Sequence, residues 1–234
     1  TRQPHSRPWP PRPGVRSVAP QASAQRTVVK VCGFTRIEDA RAALEAGVDW
    51  LGFVAWEGSP RQIAIDAAAE IIAALPGATA VLVMVAPRPD EALATAQRAG
   101  ASRVQIHRVD PSTWPADFPL PVAFAVQVMQ DGHLAGALPP RDDLLLLDTA
   151  DGTRPGGTGR SFPWEIAASL AARRPVMLAG GLGPDNVSAA LERVRPYGVD
   201  AASRLESAPG IKDHDLIRRF VIAVRAHDRM HGTA

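Results

Sequence analysis

The sequence predicts an α/β protein built as a single closed (β/α)8 barrel, and three observations predict it. After residue 26, apolar runs of strand length alternate with Ala-rich segments of helical period. Eight such runs occur, and they are apolar almost throughout rather than at every second residue, as strands must be when helices cover a parallel sheet. The first run ends in Cys32-Gly33-Phe34-Thr35 and not in the Gly-rich loop that opens a doubly wound nucleotide-binding sheet. Such an open sheet is the alternative architecture, but it more often uses five or six strands. Length supports the barrel weakly, because roughly 200 residues is near its lower limit.

Taken in order, Val28 to Cys32 (VVKVC) is the first strand and 36 to 46 the first helix. Trp50 to Ala55 is the second strand, followed by a helix over 66 to 75. Thr79 to Val85 and a helix over 89 to 99 make the third unit, and Arg103 to His107 is the fourth strand. The next two connections are poor in helix. Pro111-Ser-Thr-Trp-Pro-Ala-Asp-Phe-Pro119 carries three prolines, and Asp131-Gly-His-Leu-Ala-Gly-Ala-Leu-Pro-Pro140 mixes Gly with Pro, so each has room for a turn or two at most. Between them runs Val122 to Val128, the fifth strand. Leu144 to Asp148, Val176 to Ala179 and Val199 to Ser203 complete the eight, with helices over 163 to 172, 184 to 195 and 213 to 227.

Residues 1 to 26 carry five Arg and no acid, with a Pro density that prevents packing, and they read as a disordered Pro/Arg-rich tail before a catalytic domain at 27 to 234. The prolines oppose the amphipathic helix of a transit peptide, and there is no apolar core of a secretory signal. The whole chain has a net charge of +2, but residues 27 to 234 hold 21 basic against 24 acidic residues. That balance, without basic patches interleaved with aromatics, argues against nucleic acid as a partner. The apolar runs are too short to span a bilayer, so no membrane is expected. A lone cysteine makes no internal disulfide, which suits a cytoplasmic protein.

In a barrel, chemistry gathers where the strands end. Cys32 ends the first strand, His107 the fourth and Asp148 the sixth, and Gly180-Gly181 follows the seventh. Cys32 reads either as an ordinary buried thiol or as a reactive one, its place just before Gly33 favouring function. Asp148 emerges from Leu144-Leu-Leu-Leu147, where desolvation favours the protonated acid, although a carboxylate capping the next loop is the plainer reading. His107 has the weaker claim, as a hydrogen-bonded support. The loops Arg154-Pro-Gly-Gly-Thr-Gly-Arg160 and Gly180-Gly-Leu-Gly-Pro-Asp-Asn186 each lead toward a helix, an arrangement that favours a phosphate against backbone N–H groups.

These residues carry a resemblance. Lys30-Val-Cys-Gly-Phe-Thr-Arg-Ile-Glu-Asp-Ala40, Gly52-Phe-Val with Ser59-Pro-Arg61, Val104-Gln-Ile-His107, Leu147-Asp-Thr149, Gly156-Gly-Thr-Gly-Arg160, Leu178-Ala-Gly-Gly-Leu182 and Pro209-Gly-Ile-Lys-Asp213 follow one another as in the phosphoribosylanthranilate isomerases of tryptophan biosynthesis. The chain resembles that family from about residue 28 onward. The resemblance implies a TIM barrel that catalyses an Amadori rearrangement of N-(5′-phosphoribosyl)anthranilate to 1-(2-carboxyphenylamino)-1-deoxyribulose 5-phosphate, an isomerase with no metal or organic cofactor. It implies Asp148 as general acid and Cys32, as thiolate, as general base. Arg61 would meet the anthranilate part, and His107, Gly157, Gly180, Gly181, Asp200, Ser203 and Arg204 the rest of a small phosphosugar.

Two departures stand out. The family pattern Asp-Val-Ser-Ser-Gly-Val-Glu reads Asp200-Ala-Ala-Ser-Arg-Leu-Glu206 here, so Arg204 takes a glycine's place and either strains the loop or adds a cation to the phosphate site. Arg108 likewise replaces the glycine after His107. The rival readings are the histidine-pathway isomerase, which has an Asp where this chain has Cys32, and a phosphate-ligand-binding barrel without catalysis. Oligomeric state, monomer or homodimer, has no signature in the sequence.

Overall fold

The computed structural model describes residues 26–129, 131–140, 143–149 and 164–232. Along the chain run β1 (Val28–Cys32), α1 (Ile37–Ala46), β2 (Trp50–Val54), α2 (Ile65–Ala73), β3 (Thr79–Val85), α3 (Pro89–Ala99), β4 (Arg103–His107), β5 (Val122–Val128), β6 (Leu134–Ala135) and β7 (Leu144–Thr149). They are followed by α4 (Trp164–Ala171), β8 (Val176–Leu178), α5 (Val187–Val194), β9 (Gly198–Ala201), the hairpin β10 (Glu206–Ala208) and β11 (Ile211–Lys212), and α6 (His214–Met230). Eight strands pair in parallel in the order β4-β3-β2-β1-β9-β8-β7-β5, and β4 pairs with β5 to close the barrel. The expected (β/α)8 barrel is therefore what forms. The tail expected at 1 to 26 lies, apart from Arg26, outside the described residues, as does the glycine loop at 154 to 160.

Local chemistry sets the boundaries. Pro89 opens α3 with Asp90 and Glu91 in the first turn, and Gly100 closes it at φ 70°. Asp213 caps α6, its side chain accepting from the N–H groups of Asp215 and Leu216. The two Pro-rich connections hold no α-helix among the described residues, as expected. After β4, Asp110 caps a single 3-10 turn at Pro111–Thr113, and Trp114 and Phe118 cover the barrel in place of a helix, Trp114 edge-on to Phe124 at 5.9 Å. After β5, the short strand β6 folds back antiparallel on β5, a hairpin the sequence reading did not anticipate. No helix of the described residues is long and apolar enough to cross a membrane.

Alternation along each strand sends one set of side chains outward to the helices and the other into the barrel. The outward set (Val29, Val31, Leu51, Phe53, Leu82, Ile106, Leu145, Leu147, Val199 and their neighbours) joins the helix faces in the main core. Inside, the bottom is closed by Trp50, Val81, Leu146 and Met177, with the Arg103 guanidinium 4.5 Å from the Trp50 ring centre. Above that plug the interior turns polar, which a packed apolar barrel has no stability reason to do.

Candidate active site

Cys32 is the last residue of β1 and lies opposite Gly52 of β2. A Cβ on Gly52 would stand 2.8 Å from Cys32 Sγ and 2.9 Å from its Cα, so a bare backbone is what gives the thiol its room. Gly33 then turns the chain at φ 86°, and the N–H groups of Gly33 and Phe34 both donate to the Gly52 carbonyl. We expect Gly52→Ala to cost about 1–3 kcal/mol by overpacking and to lower turnover through displacement of the thiol, checked by thermal melts and a rate assay.

Below the thiol, two residues back on the same face of β1, lies Lys30, wholly buried, its Nζ 2.7 Å from Asp200 Oδ2. A second lysine approaches from the β10–β11 hairpin: Lys212 Nζ donates to the Cys32 carbonyl at 2.6 Å and to Glu206 Oε1 at 2.7 Å. Burial, with the Asp200 carboxylate adding to it, holds the Cys32 thiol above its ordinary pKa, and Lys30, then Lys212, offset only part of the rise. Burial also works against the Lys30 ammonium, but Asp200 with help from Cys32 more than offsets this, so Lys30 stays charged. The thiol thus sits in a dry pocket that favours its protonated form, and the cations beneath and beside it offset part of that cost.

Arg61 packs across Gly33, where an added Cβ would meet its Cδ at 2.6 Å, and its guanidinium is held bidentately by Glu206 at 2.7–3.0 Å. Burial would raise Glu206, but Arg61 and Lys212 hold its carboxyl below the usual range. Arg61, Glu206 and Lys212 therefore form a fixed rim beside Cys32. Neither Lys212 nor Glu206 was singled out from the sequence, because nothing local marks a hairpin lysine as lying against the first strand.

Asp148 stands on β7, opposite Gln127 of β5 and separated from β1 by β9 and β8 around the barrel. It lines a cavity of about 600 Å³ at the C-terminal mouth together with Val54, Val83, His107, Arg108 and Gln127. Cys32 packs against Val54 and Val83, so the thiol lies directly behind two residues of the cavity wall. His107 Nε2 accepts from the Gln105 amide at 2.8 Å, and burial first, then Lys30 and Arg108, lower its pKa to about 4. The imidazole is neutral at working pH. Folded His107 binds fewer protons than the unfolded residue between about pH 6.5 and 4, so this group takes stability away as pH falls through that window. Proton NMR should show one imidazole that stays neutral at pH 5 and is shifted by Gln105→Leu.

On the other side of the mouth, Gly180 and Gly181 follow β8 at φ 87° and 63°, conformations that a glycine adopts without strain. Asn186 braces this loop, donating to the Gly181 carbonyl and accepting from the Gly183 N–H, both at 2.9 Å. Ser203 and Arg204 lie in a 3-10 turn after β9. Arg204 is absent from the residues of positive φ, so the strain that a non-glycine residue raised there does not arise; its side chain crosses Gly183 and pairs with Asp185. Arg108, by contrast, does take the left-handed conformation, at φ 56°, with its guanidinium 5.5 Å from the Trp56 ring centre. Asp200, expected among the ligand contacts, faces inward and is engaged with Lys30. Gly157 lies outside the described residues.

Residues 29–223 match the family described as N-(5′-phosphoribosyl)anthranilate (PRA) isomerase. The chain belongs to that family. A protein named N-(5′-phosphoribosyl)anthranilate isomerase from Rubrobacter xylanophilus is 43% identical over 203 residues, which span 85% of this chain and 98% of that one. Among solved structures, the phosphoribosyl anthranilate isomerase of Thermotoga maritima superposes with a TM-score of 0.73 at 32% identity, covering 86% of this chain and 99% of that one. A structure of phosphoribosyl anthranilate isomerase in complex with reduced 1-(o-carboxyphenylamino)-1-deoxyribulose 5-phosphate is similar at a TM-score of 0.71 and 31% identity, with 86% and 99% coverage.

Proposed function

We propose that the chain catalyses the Amadori rearrangement of N-(5′-phosphoribosyl)anthranilate in tryptophan biosynthesis, with Asp148 as general acid and Cys32 as general base. The observation that supports this is a thiol at the end of β1, with the buried Lys30 beneath it and the buried Lys212 of β11 beside it, and a carboxyl at the end of β7. The reaction needs one proton in and one out. Asp148 gives a proton to the ribose ring oxygen as the C1′–O bond breaks, leaving an iminium. The Cys32 thiolate then takes the C2′ proton, the C1′–C2′ double bond of an enolamine forms, and tautomerisation gives the ketone. Electrons and atoms balance without a redox partner.

Family membership supports the substrate, and the chain's own geometry supports the way it would lie. In this reading the phosphate would lie against Gly180, Gly181 and Ser203, the anthranilate carboxylate near Arg61, and the ring between them beside His107; Gly157, also expected at the phosphate, lies outside the described residues. Asp200 serves by holding Lys30. The cytoplasm suits a site that depends on a reduced thiol. A turnover assay with phosphoribosylanthranilate tests the reading directly. Absence of product formation with this substrate would reject it, in favour of a barrel that binds a phosphosugar without converting it.

In this reading Arg204 lies at the edge of the phosphate loop, where its guanidinium can be shared between Asp185 and the substrate phosphate. Arg204→Ala should raise KM about tenfold with kcat little changed, because the phosphate is held equally in the ground and transition states. The effect should shrink as salt rises, and an unchanged KM at low salt would place the side chain away from the ligand.

A further inference from the structure

Far from the mouth, on the outer helical layer, three side chains meet whose chemistry the reaction does not use. Glu192 projects from α5, His227 from the last turn of α6, and His231 caps the same helix. Their ligating atoms lie within 4.8 Å of one another. Both imidazoles turn Nε2 to one carboxylate oxygen: Glu192 Oε2 is 3.1 Å from His231 and 3.5 Å from His227. The two rings stack with centres 4.2 Å apart, as the i, i+4 spacing on one helix face allows.

His227 is 9% exposed, yet neither of its ring nitrogens makes a hydrogen bond. Its Nε2 contact to Glu192 at 3.5 Å lacks hydrogen-bond geometry, and a buried imidazole left so is costly unless something else completes it. His231 is differently set. Its Nδ1 donates to the His227 carbonyl at 3.0 Å, which fixes the tautomer and leaves the Nε2 lone pair aimed at the cluster. This is how metal-binding histidines are ordinarily oriented. A tetrahedral zinc ion with bonds near 2.0–2.1 Å sets its ligand atoms roughly 3.3–3.4 Å apart, which the two nitrogen–oxygen separations bracket.

We propose that Glu192, His227 and His231 form a binding site for a divalent transition-metal ion of the zinc class, with a fourth, solvent-facing position, which clamps the end of α6 to α5. Two imidazoles and one carboxylate select zinc, cobalt or nickel over magnesium or calcium, which prefer all-oxygen shells. The site is structural and separate from proton transfer at Cys32 and Asp148. α6 is tied to the start of the barrel at the same turn, where Asp228 accepts from the Thr27 hydroxyl at 2.6 Å. Upstream, Arg225 already ties it to the Thr27 carbonyl at 2.6 Å and to Asp49 at 2.8 Å.

Zinc titration of the full chain at pH 7.5, by calorimetry and thermal melting, tests the proposal. One equivalent should bind with micromolar affinity and raise the melting temperature by several degrees. Glu192→Ala and His231→Ala, both at exposed positions, should each weaken binding at least tenfold and leave turnover unchanged. Cobalt should give the visible bands of a four-coordinate site without a thiolate charge-transfer band, and Cys32→Ser should keep full binding. No zinc binding at millimolar concentration would overturn the assignment. So would binding that survives both Glu192→Ala and His231→Ala, or that is lost with Cys32→Ser, since the thiol would then be the ligand.

Discussion

Replacing Cys32 by alanine or Asp148 by asparagine is expected to lower turnover by at least about 10²-fold while the circular-dichroism spectrum stays that of the parent. Each variant removes one of the two groups between which the rearrangement divides its proton transfers, and general acid–base contributions are of that size or larger. Neither change opens a cavity of consequence. Cys32 is among the smaller buried side chains, and Asp148 to Asn keeps shape while removing the acidic proton. KM should move little, because the phosphate and anthranilate contacts assigned above lie elsewhere. Retention of most of the turnover by Cys32→Ala would remove the thiol from the mechanism and make His107 the next base to test. Retention by Asp148→Asn would do the same for the acid.

Lys30→Met should cost both stability and rate, and the two losses can be separated. Lys30 Nζ is the ion-pair partner of Asp200 at 2.7 Å inside the barrel, and Asp200 Oδ1 is buried with no hydrogen bond of its own. Removing the ammonium leaves a carboxylate uncompensated in a dry interior, a loss of about 3–5 kcal/mol. For a chain of this size that corresponds to a fall in melting temperature on the order of 10 °C. The double variant Lys30→Met/Asp200→Leu removes both charges and should recover much of that stability, as apolar replacement of a buried pair often does. It should not recover the rate. Without Lys30 the nearest cation no longer offsets the burial that raises Cys32, so the thiolate forms only at higher pH. The rising limb of the kcat/KM profile should then shift to more alkaline pH. An unshifted profile in the stable double variant would show that Lys30 serves the fold alone.

The barrel was legible because its strands are covered on both faces. A run such as Ala80 to Val85 is apolar at every position, and Pro and Gly punctuate what lies between such runs, so β1, β3, β4 and β5 begin and end where the sequence places them. The Pro-rich stretch after β4 could be read as poor in helix for the same reason. The hairpin of β6 against β5 was not legible, because two residues of strand carry no period. At the site, strand ends gave Cys32, His107 and Asp148 as candidates. Lys30 carried a readable signal that was not used: it stands two residues before Cys32, hence on the same face of the same strand. Glu206 and Lys212 stood within quoted motifs that said nothing of their role, since their value lies in a fold-back that sets them against residues 145 to 180 positions away.

What the sequence by itself determined about this protein is therefore the architecture and the strand ends at which chemistry is offered, which follow from short-range pattern and composition, and the family, which follows from the resemblance of its ordered motifs. What only the tertiary structure decided is the electrostatic state of that chemistry. Whether the Cys32 thiol is usable depends on Lys30, Asp200 and Lys212, which come from three separate parts of the chain. Whether His107 is charged depends on burial and on Arg108 and Lys30, and whether Arg204 strains its loop depends on a backbone angle. Coulomb interactions and desolvation are functions of distance and enclosure in three dimensions. Sequence order contains neither until the barrel has closed.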